Sequence, residues 1–385
     1  MELEVLTSLA EVSPAEWNAL AGDDDPFVEH GFLSAFEESG AVSPRTGWTP
    51  VHLVVREGGE PVGALPLYAK MHSYGEFIFD WAWAGAAEQL RTPYYPKLVS
   101  MVPFSPVTGR RVLVRQGADV ARVTQRLVDG LFEVADAVKA SSIHVLFTTE
   151  AERDALIADG RLLPRLSFQF HWHNRGYGTF DDFLGAFRAP VRKQTRRERE
   201  SVRASGLDIR VKVGAELDAA DWAALKDFYA MTCDKKGSPE YLPPPFFDAL
   251  RRNVGDRVVG VLAYRDGAPV AGTMNFEKGA HLYGRYWGSY EEVDSLHFEL
   301  CYYQLIERAI AKGATRFEAG AQGMHKLRRG LMPSETHSVH WVRHPVLARA
   351  VKEHVAREAD MVRSEMEALA PHGPFRRAEP GEDKP

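Results

Sequence analysis

The sequence predicts a mixed α/β protein made of two copies of one unit in tandem, each a mixed sheet flanked by helices. Three observations predict it. First, a strand, a tight glycine turn and a second strand occur twice. Residues 52–56 lead into 59–63, and residues 261–265 into 267–271, an offset of 208 between Gly59 and Gly267. Second, each hairpin is followed by an apolar helix and a strand. Asp119 can cap a helix whose Val120, Val123, Leu127, Leu131, Val134 and Val138 share one stripe, ahead of a strand at 142–148. Ser295 can cap a helix from Leu296 to Lys312, stopped by Gly313 and followed by a strand at 315–319. Third, the offset here is 173, between Ser142 and Thr315. The first copy therefore carries about 35 extra residues, an insertion at about 84–118 rich in proline and aromatic side chains.

These signals divide the chain into a first unit at 1–163 and a second at 164–345. A charged helix at 346–370 and a disordered tail at 371–385, rich in proline and charge, follow. A length of 385 residues fits two hydrophobic cores better than one. The second-copy helix is apolar on most of its girth (Leu296, Phe298, Leu300, Tyr302, Leu305, Ile306, Ile310), as a helix buried against a sheet must be.

Composition narrows the function classes. The net charge of −6 excludes a polycation that coats nucleic acid, so any anion site is local. Two cysteines cannot make a disulfide framework, which fits a reducing compartment. The acidic start lacks the basic and apolar regions of a signal peptide, and no stretch is long and apolar enough to span a bilayer. A cytoplasmic location is expected. No phosphate-binding glycine loop, dinucleotide fingerprint, His-Glu-x-x-His or Gly-x-Ser-x-Gly occurs.

Chemistry concentrates in four places. Residues 317–330 place Gln322, His325, Lys326, Arg328 and Arg329 among Gly320, Gly323 and Gly330 at the exit of a strand, as an acyl- or phosphate-handling site would need. Residues 188–203 carry seven cations and two acids. Pro190 starts a helix there, and Arg192, Arg196, Arg199 and Arg203 fall on one face beside Lys193. Guanidinium groups so close repel unless an anion joins them, so Arg192, Lys193, Arg196 and Arg199 are candidate phosphate ligands; pairing with Asp181 and Asp182 is the alternative. Residues 168–178 read as a strand with His171 and His173 on one face. No third ligand lies nearby, so no metal is expected and His173 lines substrate or packs. Asp80, Trp81 and Trp83 in the first copy, and Arg285 and Tyr286 in the second, follow their hairpins at related places and suit pocket walls or strand packing. Tyr94, Tyr95, Pro96 and Lys97 look like an ordered binding loop.

These segments resemble the FemAB-like family of the GNAT acyltransferase superfamily, labelled peptidoglycan biosynthesis or recognition proteins. The resemblance runs from about residue 10 to about residue 345 and is carried by Asp80–Trp83, Tyr94–Lys97, residues 171–178 and 296–303, and Phe317–Lys326. It implies a tandem pair of GNAT-like units and an acyltransferase. The donor implied is aminoacyl-tRNA, or acyl-CoA as in typical GNAT enzymes, with no tightly bound cofactor. The acceptor implied is a small-molecule or peptide amine, such as a peptidoglycan precursor. GNAT enzymes hold the pyrophosphate of CoA in a glycine-rich turn; here Arg285-Tyr-Trp-Gly-Ser-Tyr290 keeps only its first glycine and runs into Glu291, Glu292 and Asp294, which argues against CoA. Met324 stands where the family often carries an acid. Lys326 is then the cation that stabilises an oxyanion, and Glu318 or His325 the proton acceptor. Asp80, Trp81, Tyr95, Lys97, Arg285, Tyr286, Gln322 and His173 are the expected substrate contacts. An N-acetyltransferase and a non-catalytic binder of a wall precursor are the alternatives.

Overall fold

The computed structural model describes residues 1–321 and 323–376. Gln322 and the tail from residue 377 lie outside the described residues. The strands, in chain order, are β1 (Glu2–Leu6), β2 (Trp48–Pro50), β3 (His52–Glu57), β4 (Glu60–Leu65), β5 (Tyr68–Lys70), β6 (Lys97–Ser100), β7 (Leu113–Val114) and β8 (Ser142–Thr148). They continue as β9 (Leu163–His173), β10 (Asp208–Val213), β11 (Val258–Arg265), β12 (Ala268–Lys278), β13 (His281–Ser289), β14 (Arg316–Glu318) and β15 (Met332–Val342).

Two compact units form. The first comprises 1–168, 240–255 and 335–364, and the second 169–239, 256–334 and the chain from Glu365 on. These divisions replace the expected cuts at 163/164 and 345/346, for two physical reasons. The first unit closes its sheet with a strand that sequence order assigns to the second half, β8 pairing antiparallel with residues 337–342, while β14 pairs with residues 171–173 of its own half. In addition, the Pro244–Val254 helix joins the first unit, where Phe246 stacks on Phe36 at 4.8 Å between ring centroids.

In the first unit, β1, β3, β4 and β7 form one antiparallel sheet; β15, β8, β6, β5 and β2 lie in a second order, with β6 parallel to β8. The Val120–Ala137 helix starts where Asp119 accepts from the Arg122 amide at 3.1 Å. Its Val123, Leu127, Leu131 and Val134 are buried with Leu53, Val55 and Leu65 of the hairpin. Each such side chain contributes about 1.5–3 kcal/mol through burial. The expected insertion is not a loop. It contains most of the Trp81–Gln89 helix together with β6, which inserts between β5 and β8, and β7, which extends β4.

In the second unit the order is β10, β11, β12, β13, β14, β9, with β13 and β14 parallel and the other neighbours antiparallel. The two hairpins are alike at their turns. Gly58 and Gly59 have φ of 60° and 85°, and Asp266 and Gly267 have 51° and 82°, the twist that two-residue hairpins favour.

Two further expectations change. Ser295 has φ of 64° and makes no side-chain cap. The helix after it is not continuous: Leu296–Phe298 gives way to a π-turn at Glu299–Tyr303 before Gln304–Ala311. The tail begins ordered. Phe375 bridges to Phe187 by backbone and ring, 5.4 Å between centroids, because residues 371–376 have an apolar anchor despite their polarity.

Candidate active site

The second unit opens where its parallel strands part. β13 and β14 pair only from His281↔Arg316 to Tyr283↔Glu318. One step later β13 carries an extra residue: Asn275 faces Gly284 and Met274 faces Tyr286, so Arg285 forms a bulge that turns the strand. The chain leaves β14 through Gly320 (φ 78°) and Gly323 (φ 117°) into a short helical turn at Met324–Arg329. Both glycines hold backbone that side chains resist. At Gly323 a Cβ would also lie 2.6 Å from Cε1 of His325, so the imidazole rests on the glycine.

That turn builds the site. Lys326, expected as a catalytic cation, is not a loose surface lysine. It is 3% exposed, and its ammonium donates to the Gly320 carbonyl at 2.6 Å. His325 beside it is exposed, with Nε2 at 2.8 Å from the Tyr302 hydroxyl and its ring 5.7 Å from His297 and 6.0 Å from Phe298. Partial burial and the Arg329 and Lys326 charges hold His325 below its ordinary pKa, so it is neutral near pH 7 and able to take a proton. Burial raises the Tyr302 hydroxyl well above the tyrosine range, so it stays protonated. Glu318 is 2% exposed, with Arg316 Nε at 3.2 Å and His171 Nε2 at 3.9 Å. Glu318 is thus buried beside Arg316, and of the two expected proton acceptors His325 has the better access.

One helix fixes these parts. On Ala189–Ala204, Glu198 receives Arg329 at 3.1 Å through both oxygens and the Tyr303 hydroxyl. Arg329 also donates to the His325 carbonyl at 2.9 Å and lies 3.2 Å over the Phe298 ring. Arg199 is a correction to the expected phosphate set. It is buried and donates to Glu299 at 3.0 Å and Glu307 at 2.7 Å, because the π-turn carries Glu299 inward and that carboxylate needs a cation. The expected four-arginine face is therefore divided. Arg192, Lys193 and Arg196, with Arg197, line a shallow hollow of about 500 Å³ that Glu200 also touches. Arg196 reaches Asp181 at 3.4 Å, on the surface.

The other expected contacts scatter. His173 is exposed, near the Ser334 hydroxyl at 3.2 Å. Tyr286 packs edge-on against Tyr229, and Arg285 stacks on Tyr286. Asp80, Trp81, Tyr95 and Lys97 belong to the first unit. Asp80 and Trp81 start a helix there, so they do not correspond to Arg285 and Tyr286 on β13, as similar placement had suggested. Lys97 is wholly buried and donates to Asp80 (2.5 Å), Glu76 (2.8 Å) and Ser73 (2.8 Å). Lys70 donates to Glu76 at 2.6 Å and to the Tyr74 carbonyl at 2.8 Å, and Tyr94 donates to Asp80 at 2.7 Å. Desolvation lowers the Lys70 pKa to about 8. Asp80 is held below the carboxylate range: burial opposes this, but Lys97 and His144 outweigh it. His144 and His340 face each other through Nδ1 at 2.7 Å, and burial pushes His144 down to about 3. Among the described residues no group of three or more His, Cys, Asp or Glu could hold a metal ion.

Tyr302, Glu198 and Glu299 were not among the expected site residues, and Arg329, part of the cationic cluster, had no role assigned. Glu198, one of only two acids in the cationic run, was the available signal. Lys70, Glu76, His144 and His340 left none, since they converge from separate strands and a loop.

A mixed sheet whose short parallel strand runs into a glycine-broken, cation-bearing turn defines the fold and the candidate site. The chain belongs to the FemAB-like family, described as peptidoglycan biosynthesis/recognition, whose model matches residues 8–377. FemX shares the fold at a TM-score of 0.55 and 13% identity over 91% of this chain and 100% of that one. The C-terminal domain of a protein provisionally named lysylphosphatidylglycerol synthetase, from Agrobacterium fabrum, matches at 0.53 and 10% over 90% and 97%. L-PGS from Bacillus licheniformis matches at 0.50 and 12% over 87% and 98%. No curated protein matches the chain by sequence.

Proposed function

We propose that the protein is an acyltransferase that moves an aminoacyl group from aminoacyl-tRNA onto an amine of a peptidoglycan precursor or similar peptide. The observation that carries this reading is the Met324–Arg329 turn, where a buried lysine ammonium and a neutral, accessible histidine are adjacent and braced from one helix. The amine attacks the ester carbonyl and the C–N bond forms. Negative charge collects on the carbonyl oxygen, where the Lys326 ammonium offsets it. His325 takes the proton released by the amine through Nδ1 while Tyr302 holds Nε2, then returns it to the ribose oxygen, which departs as a hydroxyl as the C–O bond breaks.

Two features favour aminoacyl-tRNA over acyl-CoA. The hollow at Arg192, Lys193, Arg196 and Arg197 suits a phosphate backbone. The place of a CoA-binding turn is taken by β13 running to Ser289, followed by Glu291, Glu292 and Asp294. The test incubates the protein with charged tRNA, or with labelled acetyl-CoA, and an amine acceptor. RNase-sensitive transfer that Lys326→Ala abolishes, with a cooperative melt retained, is the expected result. RNase-resistant transfer from acetyl-CoA would make the protein an N-acetyltransferase. Saturable precursor binding with no transfer from any donor would make it a binder.

A further inference from the structure

The buried ion network of the first unit has no part in the chemistry above, yet it holds something in place. Residues 71–81 join β5 to the Trp81–Gln89 helix, with both acids turned inward, Ile78 buried, and His72 and Phe77 half-buried. Ser73, Glu76 and Asp80 turn inward onto Lys70 and Lys97. Met71, Tyr74, Phe79 and Trp81 turn outward and are 56%, 56%, 56% and 43% exposed. Tyr74 and Trp81 meet edge to face at 5.1 Å. From Met71 to Ala87 the only acids are the inward Glu76 and Asp80, and there is no lysine or arginine. Arg165 approaches from beneath, donating to the Phe79 carbonyl at 3.2 Å while held bidentate by Glu358 at 2.7 and 2.8 Å.

We propose that this loop is a membrane-interface anchor: Met71, Tyr74, Phe79 and Trp81 enter the headgroup–acyl boundary of a lipid surface, and the Lys70–Glu76–Lys97–Asp80 network fixes them in the inserted arrangement. Tryptophan and tyrosine suit that boundary because an apolar ring carries one polar edge. Turning both acids inward onto lysines removes the charges that would resist leaving water. A phosphate-rich partner is disfavoured because the face offers it no cation. Among the described residues no helix is long and apolar enough to cross a membrane.

The experiment is co-sedimentation of the full chain with phosphatidylcholine vesicles, and with vesicles containing phosphatidylglycerol. The expected result is sedimentation with both that changes less than about twofold between low and high salt, since apolar insertion is not screened. Tyr74→Ser/Phe79→Ser/Trp81→Ser, with an unchanged melt, should lower the bound fraction about tenfold or more. Acyl-brominated lipid should quench a tryptophan signal that Trp81→Phe removes. Wild-type protein left in the supernatant with both vesicles overturns the proposal. So does salt-sensitive binding that the triple variant retains, or a dimer that the triple variant dissociates in the absence of vesicle binding. Transfer assayed with a soluble acceptor reads the second unit separately, so either result stands without the other.

Discussion

The lysines of the two units invite comparison. Lys97 and Lys326 are almost equally buried, and both follow a turn. Lys97 is saturated, with two carboxylates and a hydroxyl on its ammonium and the Tyr94 hydroxyl on the same Asp80. Lys326 sits on a six-residue helical turn between glycines, donating to a backbone carbonyl beside an exposed histidine. Burial alone does not mark a catalytic lysine. A lysine buried among fixed carboxylates of a loop shapes the fold, whereas one placed on a short turn beside an accessible histidine is positioned to meet a reacting group.

The largest effect that would break this comparison lies in the first unit. Lys97→Met leaves Glu76 and Asp80 short of a cation in the interior and should cost about 3–5 kcal/mol, read as a lowered urea midpoint. A loss under about 1 kcal/mol would mean that the network is not structural. Arg199→Met should behave alike in the second unit, leaving Glu299 buried beside Gln304 alone, at about 3 kcal/mol. Replacing the half-buried Arg192 and the exposed Arg196 by glutamine should leave the melt within about 1 kcal/mol and raise the apparent KM for charged tRNA, with a shallower salt dependence. Equal effects from buried and exposed arginines would erase the division of that helix.

Acid gives a third contrast. His144 and His340 are held below their ordinary pKa by burial, so the folded first unit binds fewer protons than the unfolded chain once pH falls below about 6.5. Stability from both is present above that pH and is lost as pH falls, by about 2 kcal/mol at pH 5 for His144. The His144→Phe/His340→Phe pair should flatten the slope of melting temperature against pH between 7 and 5; an unchanged slope would count against it. A local effect is expected of Gly323→Ala, which strains a φ of 117° and crowds the His325 ring. It should lower kcat several-fold while costing about 1–3 kcal/mol or less.

The contrast also explains what was legible in the sequence. Both hairpins, the Asp119-capped helix and the strands at 142–148 and 315–319 follow local rules of period, cap and turn, and they stand in the structure at nearly those residues. The passage of β15 to the first unit was not legible, because pairing partners about 190–200 residues apart leave no local trace. The π-turn was not, because Glu299 is drawn inward by Arg199, which is distant in sequence. The turn carrying His325 and Lys326 stood out because glycines and cations crowd together there. The division of the arginine face did not, since helical spacing says which residues share a side but not which side is buried.

The most direct measurement is single-turnover transfer from charged tRNA by Lys326→Met and Lys97→Met proteins, each assayed at a temperature where its melt shows it folded. The account predicts that folded Lys326→Met loses transfer by about a hundredfold or more, the scale of a lost oxyanion contact, while folded Lys97→Met keeps a rate near wild type. Near-wild-type transfer by Lys326→Met, or its loss in folded Lys97→Met alone, would contradict the assignment of the chemistry to the second unit.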